Sequence, residues 1–306
     1  MKFNELYTIE KHIIKFIQEK LGYEFIPAEE FSKLRTFENE FIITSHLLES
    51  VQKINGVDEN LALSVVREIK KLDTNEAFLF AMRNGVNLKD PATGKNRDFH
   101  IVDFTNPDNN RFVVTSQFYF EGTTENIRPD VMVFLNGLPV SDIEAKSPTA
   151  SSSVSFENAI DQIKRYEKVA SKLFLPNCFN IATDGLKTVY GATYSPKQYF
   201  LTWREDPHSE PKMFEDELDS TLYFLLGKEQ ILDILKNFIV FEKKKDKFLA
   251  RYGSMSSTTT TVFWRNCTVQ IWVFATSSET LSTSSTRNVL NPMRRQVDWT
   301  DRKSTR

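Results

Sequence analysis

Residues 128–148 read RPDVMVFLNGLPVSDIEAKSP, and this stretch decides the fold. Two apolar runs, at 131–135 and 138–140, flank Asn136–Gly137, a dipeptide typical of tight β-hairpins. One aspartate precedes the first run, and the second run continues into Asp142, Glu144 and Lys146. The stretch therefore predicts a hairpin that carries three carboxylates and one ammonium group towards a protein core.

The face on which Asp130 lies depends on the length of the hairpin loop. A two-residue loop at Asn136–Gly137 would place Asp130 opposite Ile143, off the face of Glu144. A three-residue loop with Gly137 as its left-handed residue would place Asp130 on the face of Glu144 instead. We expect the three-residue loop, with Gly137 at positive φ.

A strand face of this composition has two interpretations. The simpler one is a solvated polar face with a chance salt bridge, which a bare pattern of carboxylates and lysine would favour. The other is a metal site, because carboxylates packed this closely repel one another unless a cation lies between them.

Two predicted helices favour the metal site. In the helix predicted at residues 156–173, Gln162 shares an apolar face with Tyr166. In the helix predicted at residues 8–21, Glu10 lies within a stripe of isoleucines, although a glutamate near a helix start also favours the helix dipole. Polar residues on inward faces indicate a metal site beneath the two helices.

The composition is that of a globular chain and excludes several classes of protein. Of the 306 residues, 40% are hydrophobic and 26% are charged, and the net charge is −2. A protein that grips nucleic acid unaided usually has a basic excess, so a nucleic-acid role needs a local basic strip or partner subunits. No apolar run reaches the roughly 18 residues of a membrane helix. The absence of an export signal and of a disulfide framework predicts a cytoplasmic protein with no membrane partner.

The remaining elements alternate in type. Helical spacing is found at residues 8–21, 59–72, 75–82, 156–173, 212–226 and 228–237, and strand patterns at 97–104, 111–121 and 178–193. We expect one α/β domain that ends near residue 250, with a mixed central sheet flanked by helices.

Residues 253–306 differ in composition from the rest of the chain. They hold 9 Ser and 11 Thr, and three of the four Trp. The open interpretations are a flexible tail, a β-rich extension and a shifted reading frame. We favour a tail that is non-native or disordered.

Several motifs, in order, resemble a known nuclease family. Pro129–Asp130 followed by Glu144–Ala145–Lys146 resembles the PD-(D/E)XK nuclease motif, and residues 162–166 match its QxxxY addition. With the LNGLP turn, they are similar to the amino-terminal nuclease region of the restriction (R) subunit of type I restriction–modification enzymes. The resemblance covers about residues 1–252 and implies a restriction-endonuclease-like core.

The resemblance implies a magnesium-dependent endonuclease that cleaves foreign double-stranded DNA. Asp130, Glu144 and the carbonyl group of Ala145 would hold Mg²⁺. Lys146 would orient the attacking water and balance charge in the transition state. The expected partners are the modification (methyltransferase) and specificity subunits.

Three further residues take part in the implied site. Glu10 matches the helical glutamate that often completes such sites, while Gln162 and Tyr166 would align DNA or the catalytic groups. Asp142 departs from the family pattern, which has an apolar residue there. It could perturb the site or bind a second ion.

The larger departure is the missing helicase motor. No phosphate-binding loop of the type GxxxxGK[ST] occurs in the 306 residues. We therefore expect a truncated or frame-shifted R subunit, with ATP used only by the full-length family member. The alternative function is a non-catalytic remnant that contacts DNA or docks onto other subunits.

Overall fold

The computed structural model describes residues 5–147, 155–203, 214–241 and 247–249. All of them belong to one unit of the chain, Met1–Ser254. The tail predicted at residues 253–306, and the boundary expected near residue 252, lie outside the described residues. No helix within the described ranges is long and apolar enough to cross a membrane.

Helices and strands alternate along this unit. The helices are α1 (Glu5–Glu19), α2 (Ala28–Ser32), α3 (Thr44–Asn55), α4 (Glu59–Ile69), α5 (Asn75–Asn84), α6 (Ser155–Val169), α7 (Glu217–Leu226) and α8 (Lys228–Asp233). The strands are β1 (Glu24–Phe25), β2 (Val86–Lys89), β3 (Asn96–Phe99), β4 (Phe112–Ser116), β5 (Val131–Leu135), β6 (Leu138–Ala145), β7 (Phe179–Thr183), β8 (Thr188–Ala192), β9 (Ile239–Phe241) and β10 (Lys247–Leu249). A π-helical turn over Ile234–Phe238 follows α8. The helices predicted at residues 8–21, 59–72, 75–82 and 156–173 are confirmed, with ends that differ by a few residues.

A six-stranded sheet forms the centre, in the order β1-β4-β5-β6-β7-β8. The pairs β1–β4 and β6–β7 are parallel, and the pairs β4–β5, β5–β6 and β7–β8 are antiparallel. The predicted mixed sheet with flanking helices is therefore confirmed. Its centre is the hairpin of β5 and β6, and every residue of both strands is buried.

Alternation along β5 divides the core into two layers. Val131 and Val133 face a cluster that contains Ile13 and Ile17 of α1. Met132 faces a second cluster, to which α6 contributes. The hairpin is thus covered on both sides, and a polar side chain on either face is removed from water.

The hairpin turn differs from the prediction. Leu135 pairs with Leu138, so the loop has two residues, and the expected three-residue loop is wrong. Asn136 and Gly137 have φ angles of 51° and 80°, both in the left-handed region that a tight turn of this kind requires. The expected positive φ at Gly137 is confirmed, because the Asn-Gly pair closes the hairpin without an added residue.

The extra residue that the prediction placed in the loop lies further along the hairpin. Phe134 pairs with Pro139 and Val133 pairs with Ser141, so Val140 is a β-bulge with no partner of its own. The bulge changes the parity of the pairing. Extended by one residue beyond Val131 and Ile143, the register places Asp130 directly opposite Glu144.

Helix α3 packs against the turn, and no helix was predicted there. A Cβ atom on Gly137 would lie 2.5 Å from the Ile43 carbonyl oxygen. The turn therefore approaches the start of α3 too closely for any residue other than glycine at position 137. The buried residues of α3 include His46 and Ser50. These polar residues interrupt the apolar period by which a buried helix face is recognised.

Buried His46 should contribute to folding stability at neutral pH, and this contribution should be lost on mild acidification. Burial lowers the pKa of His46, and the nearby Arg111 lowers it further, against the opposing effects of Glu24 and Glu49. Below the usual histidine pKa of about 6.5, the unfolded chain binds a proton that folded His46 does not, so the folded state loses stability as pH falls. In urea titrations between pH 7.5 and 5.5, His46→Gln should lose less stability than the wild type. The exposed His100→Gln variant should behave as the wild type, and equal losses in all three proteins would contradict the prediction.

Candidate active site

Asp130 and Glu144 lie side by side on one sheet face, as predicted. The side chain of Asp130 accepts a hydrogen bond at Oδ2 from the main-chain N–H of Ala145, at 3.0 Å. The main-chain N–H of Asp130 in turn donates to Oε1 of Glu144, at 3.2 Å. Asp130 is 7% exposed and Glu144 is 0% exposed. The hairpin register therefore places two carboxylates where β5 begins and β6 ends, with the backbone of Ala145 beside them.

Lys146 supplies a positive charge next to both carboxylates. Its Nζ lies 3.5 Å from Oε2 of Glu144 and 3.8 Å from Oδ2 of Asp130. The lysine side chain is 24% exposed, so it lies between the buried carboxylates and solvent. The structure thus brings together the three residues of the predicted D…ExK set.

One ammonium group does not neutralise the charge at Glu144. Burial raises the pKa of Glu144 well above its ordinary value, and Asp142 and Asp130 raise it further, whereas Lys146 opposes the shift. A carboxylate in this setting retains its proton or gains a cation. Either a retained proton or a bound cation would therefore balance the charge of this site.

Glu10 reaches the site through a residue that was not predicted. Oε2 of Glu10 accepts a hydrogen bond from Nε2 of Gln117, at 2.9 Å, and the same Nε2 lies 3.3 Å from Oδ1 of Asp130. Burial raises the pKa of Glu10, and Asp130 raises it further, while the hydrogen bond from Gln117 lowers it. No sequence signal marks Gln117, because it lies in an ordinary strand pattern.

The expected position of the site beneath both helices is wrong. Ile13 of α1 packs with Val131 and Ile143 in one core layer. Tyr166 of α6 packs with Met132 in the other layer. Helical spacing shows which residues share a helix face, but not which side of the sheet that face covers. Helix α6 therefore covers the carboxylate face, and α1 packs against the opposite face.

Gln162 and Tyr166 form a hydrogen-bonded pair on α6. Nε2 of Gln162 donates to the Tyr166 hydroxyl group at 2.7 Å. That hydroxyl group donates to the main-chain carbonyl of Arg128, at 3.3 Å. Burial raises the pKa of Tyr166, and Glu144 raises it further, so the phenol stays protonated and able to donate. The pair thus anchors the segment that leads into Asp130.

Asp142 is a buried carboxyl group on the same strand as Glu144. It is 0% exposed, and neither side-chain oxygen has a hydrogen-bond partner among the described residues. Burial raises its pKa well above the ordinary value, and Asp130 and Glu167 raise it further, whereas Lys146 opposes the shift. Asp142 pairs with Met132 and lies two residues before Glu144 on β6. Because side chains two residues apart on a strand share a face, Asp142 and Glu144 lie on the same face of the sheet. The departure from the family pattern therefore adds a third acidic group to this face.

The donor set fits a hard, oxygen-binding cation such as Mg²⁺. Asp130 and Glu144 offer carboxylate oxygens, which Mg²⁺ prefers, and a main-chain carbonyl follows at Ala145. Within the described ranges, no group of three or more His, Cys, Asp or Glu side chains is arranged to hold a metal ion. A cation here would therefore complete its shell with water and substrate oxygens, as Mg²⁺ commonly does.

Residues 2–199 match the family model described as the type I restriction enzyme R protein N terminus. The chain belongs to this family. Every residue of the candidate site, from Glu10 to Tyr166, lies within the matched range.

Curated relatives of the chain are found in Haemophilus influenzae and in Methanocaldococcus jannaschii. The type I restriction enzyme HindI endonuclease subunit of Haemophilus influenzae is 30% identical over 243 residues, which cover 74% of this chain and 23% of the relative. Two proteins of Methanocaldococcus jannaschii are provisionally named the type I restriction enzyme MjaIXP and MjaVIIIP endonuclease subunits. They are 29% identical over 277 residues and 32% identical over 268 residues, which cover 80% and 82% of this chain and 26% and 25% of each relative. The chain thus spans about a quarter of the length of these relatives.

Proposed function

We propose that this chain is the Mg²⁺-dependent endonuclease domain of a type I restriction–modification system. In this proposal it has a PD-(D/E)XK core and cleaves foreign double-stranded DNA by hydrolysis of phosphodiester bonds. Membership of the R protein family supports the restriction role. The hairpin of β5 and β6, covered by α6 and continued by the parallel strand β7, supports the fold.

One observation carries the proposal, namely the contact of Lys146 with a pair of buried carboxylates. Its Nζ lies 3.5 Å from Oε2 of Glu144 and 3.8 Å from Oδ2 of Asp130, so one basic side chain contacts two acidic ones. A structural salt bridge would pair one acid with one base. Two acids with one base leave room for a cation and for the anionic phosphate that it attracts.

Asp130, Glu144 and the carbonyl group of Ala145 would bind the metal ion. When bound, Mg²⁺ polarises the scissile phosphate and lowers the pKa of a water molecule. Lys146 holds the attacking water by a hydrogen bond from its ammonium group and balances the negative charge that grows on the phosphate. Its partial exposure allows it to reach a substrate, whereas Glu144 is closed to solvent.

The remaining site residues position these groups. Glu10 adds a carboxylate next to Asp130 from α1. Gln162 and Tyr166 hold the main chain at Arg128 and so orient Asp130, which follows two residues later. This role differs from direct alignment of DNA, since the Tyr166 hydroxyl group donates to the protein backbone.

The partners follow from the restriction role. The domain acts on double-stranded DNA together with modification (methyltransferase) and specificity subunits. The net charge of −2 is consistent with this arrangement, because partner subunits then contribute to DNA binding. ATP belongs to the full-length family member.

Plasmid cleavage tests the proposal. Residues 1–252 are placed in a complete, motor-bearing R subunit, which is mixed with ATP, unmethylated plasmid DNA and the modification and specificity subunits of a type I system. Cleaved DNA is expected in MgCl₂, and none is expected in excess EDTA, because the carboxylate site then lacks its cation. If the chain binds the subunits but never cleaves, the non-catalytic docking function replaces the proposed one. Co-purification with the two subunits measures that binding.

A further inference from the structure

Gln117 has an unusual backbone conformation next to the candidate site. It directly follows β4, and its φ of 52° lies in the left-handed region that residues other than glycine seldom adopt. Its main-chain N–H donates to the carbonyl oxygen of Asp130 at 2.9 Å. A conformation of this kind persists only where surrounding contacts hold it, and such residues cluster at functional sites.

The side chain of Gln117 joins two carboxylates that are far apart in the sequence. Its Nε2 lies 2.9 Å from Oε2 of Glu10 and 3.3 Å from Oδ1 of Asp130. The two acidic residues are 8% and 7% exposed, so water does little to screen their repulsion. A donor shared between them stabilises an approach that their charges oppose.

An amide suits this position better than a charged side chain. A lysine would compete with a metal ion for the same oxygens, and a glutamate would add a further negative charge. An ionised carboxyl group has about four acceptor positions. Asp130 uses one oxygen for the N–H of Ala145 and the other for Gln117, and each oxygen keeps lone-pair capacity for a cation.

We propose that Gln117 is a positioning residue that holds the Glu10 carboxylate beside Asp130, so that α1 places a negative charge next to the divalent-cation site formed by Asp130 and Glu144. The inference rests on the proposed function, since the cation is the one that Asp130 and Glu144 bind. It extends that function because it explains how a residue of α1, packed on the opposite sheet face, takes part.

Calcium binding by the full chain, measured by calorimetry, tests the inference without any cleavage reaction. Gln117→Gly keeps the left-handed backbone easily and removes the whole side chain with its amide, so thermal stability should change little, since relief of backbone strain offsets the greater freedom of the unfolded chain. Its Ca²⁺ affinity should fall about tenfold or more, which is the usual effect of removing a partner of a metal ligand. Gln117→Leu should weaken Ca²⁺ binding by a similar factor. Gln18→Leu, at an exposed glutamine of α1, is the matched control and should bind as the wild type.

A double-mutant cycle separates positioning from a general loss of packing. Glu10→Gln should weaken Ca²⁺ binding in the wild-type chain. In the Gln117→Gly chain the same change should have little further effect, because Glu10 is no longer held in place. Independent, multiplying effects of the two substitutions would contradict the inference.

The Asp130→Asn variant distinguishes this inference from the proposed function. If Asp130→Asn weakens Ca²⁺ binding and Gln117→Gly leaves it at the wild-type level, the inference on Gln117 is overturned and the metal site stands. If the wild type binds no Ca²⁺, or Asp130→Asn binds as tightly as the wild type, the metal site and this inference both fall. Weakened binding in Asp130→Asn and in both Gln117 variants supports both.

Discussion

Asp130→Asn should abolish Mg²⁺-dependent DNA cleavage when residues 1–252 are placed in a complete, motor-bearing R subunit. Asparagine keeps an oxygen that can accept the N–H of Ala145, so the fold should be retained. It removes one of the two carboxylates at the site, and metal binding should weaken with it. The substitution also relieves repulsion at Glu144, and thermal stability should therefore be unchanged or slightly higher.

Lys146→Ala should lower the cleavage rate for a different reason. Lys146 contacts the carboxylates and is not a metal ligand, so Ca²⁺ affinity should change little. The loss of a transition-state contact of this kind typically costs about 2.7–4 kcal/mol, or roughly a hundred- to a thousandfold in rate. The exposed Asp73→Asn and Lys172→Ala are matched controls and should cleave normally. Wild-type cleavage rates in both site variants would end the nuclease assignment, whereas ATP-driven translocation should be unaffected in every variant.

Asp142→Val should stabilise the protein. The wild-type carboxyl group is fully buried, and both oxygens lack a hydrogen-bond partner among the described residues. Burying an unpaired polar group costs about 1–3 kcal/mol in proteins, and valine suits a buried strand position. Urea denaturation should therefore show a gain of about 1–3 kcal/mol. Asp73→Val, at an exposed position before α5, should change stability by no more than about 0.5 kcal/mol.

The gain from Asp142→Val should increase with pH. Burial raises the pKa of Asp142 in the folded chain, so the unfolded chain releases this proton first as pH rises above the usual aspartate value. The Asp142 carboxyl group therefore lowers the stability of the wild type as pH rises over that interval, and the valine variant lacks this loss. Glu144 has a raised pKa in the wild type and causes a pH-dependent loss of its own. If Asp142 instead binds a second ion, calorimetry would show one Ca²⁺ fewer per chain in the variant. A pH-independent or negative stability difference would also contradict the prediction.

The sequence predicts the strand pairing at the hairpin well, and it predicts poorly which face of the sheet each helix covers. The hairpin at Asn136–Gly137 is confirmed because the residue types at the turn determine it, and the shared face of Asp130 and Glu144 is confirmed although the loop length expected to produce it is wrong. The bulge at Val140 was not predicted, because it lies within an apolar run where every residue is buried and no pattern marks the odd one. The parity was thus right, while the residue that sets it was misplaced.

Long-range placement was beyond the sequence. Nothing in the spacing of α1 shows that it packs on the sheet face opposite α6, so the sequence predicts Glu10 and Gln162 in one site beneath both helices. Gln117 was missed for a related reason, since its role depends on a left-handed φ and on contacts with residues far along the chain. Tertiary contacts, which no local period encodes, decide both positions.

The bulge at Val140 makes the acidic pair sensitive to the length of the strand that faces it. Loss of Val140 itself would leave Val133 paired with Ser141 and Asp130 opposite Glu144, because only the unpaired residue is removed. Loss of one residue of β5 would instead bring Asp130 opposite Ile143, so that the carboxylates of Asp130 and Glu144 would lie on opposite faces of the sheet. Such a gene product would keep the hairpin and its turn and lose its acidic pair, although every acidic and basic residue of the site remained in the sequence.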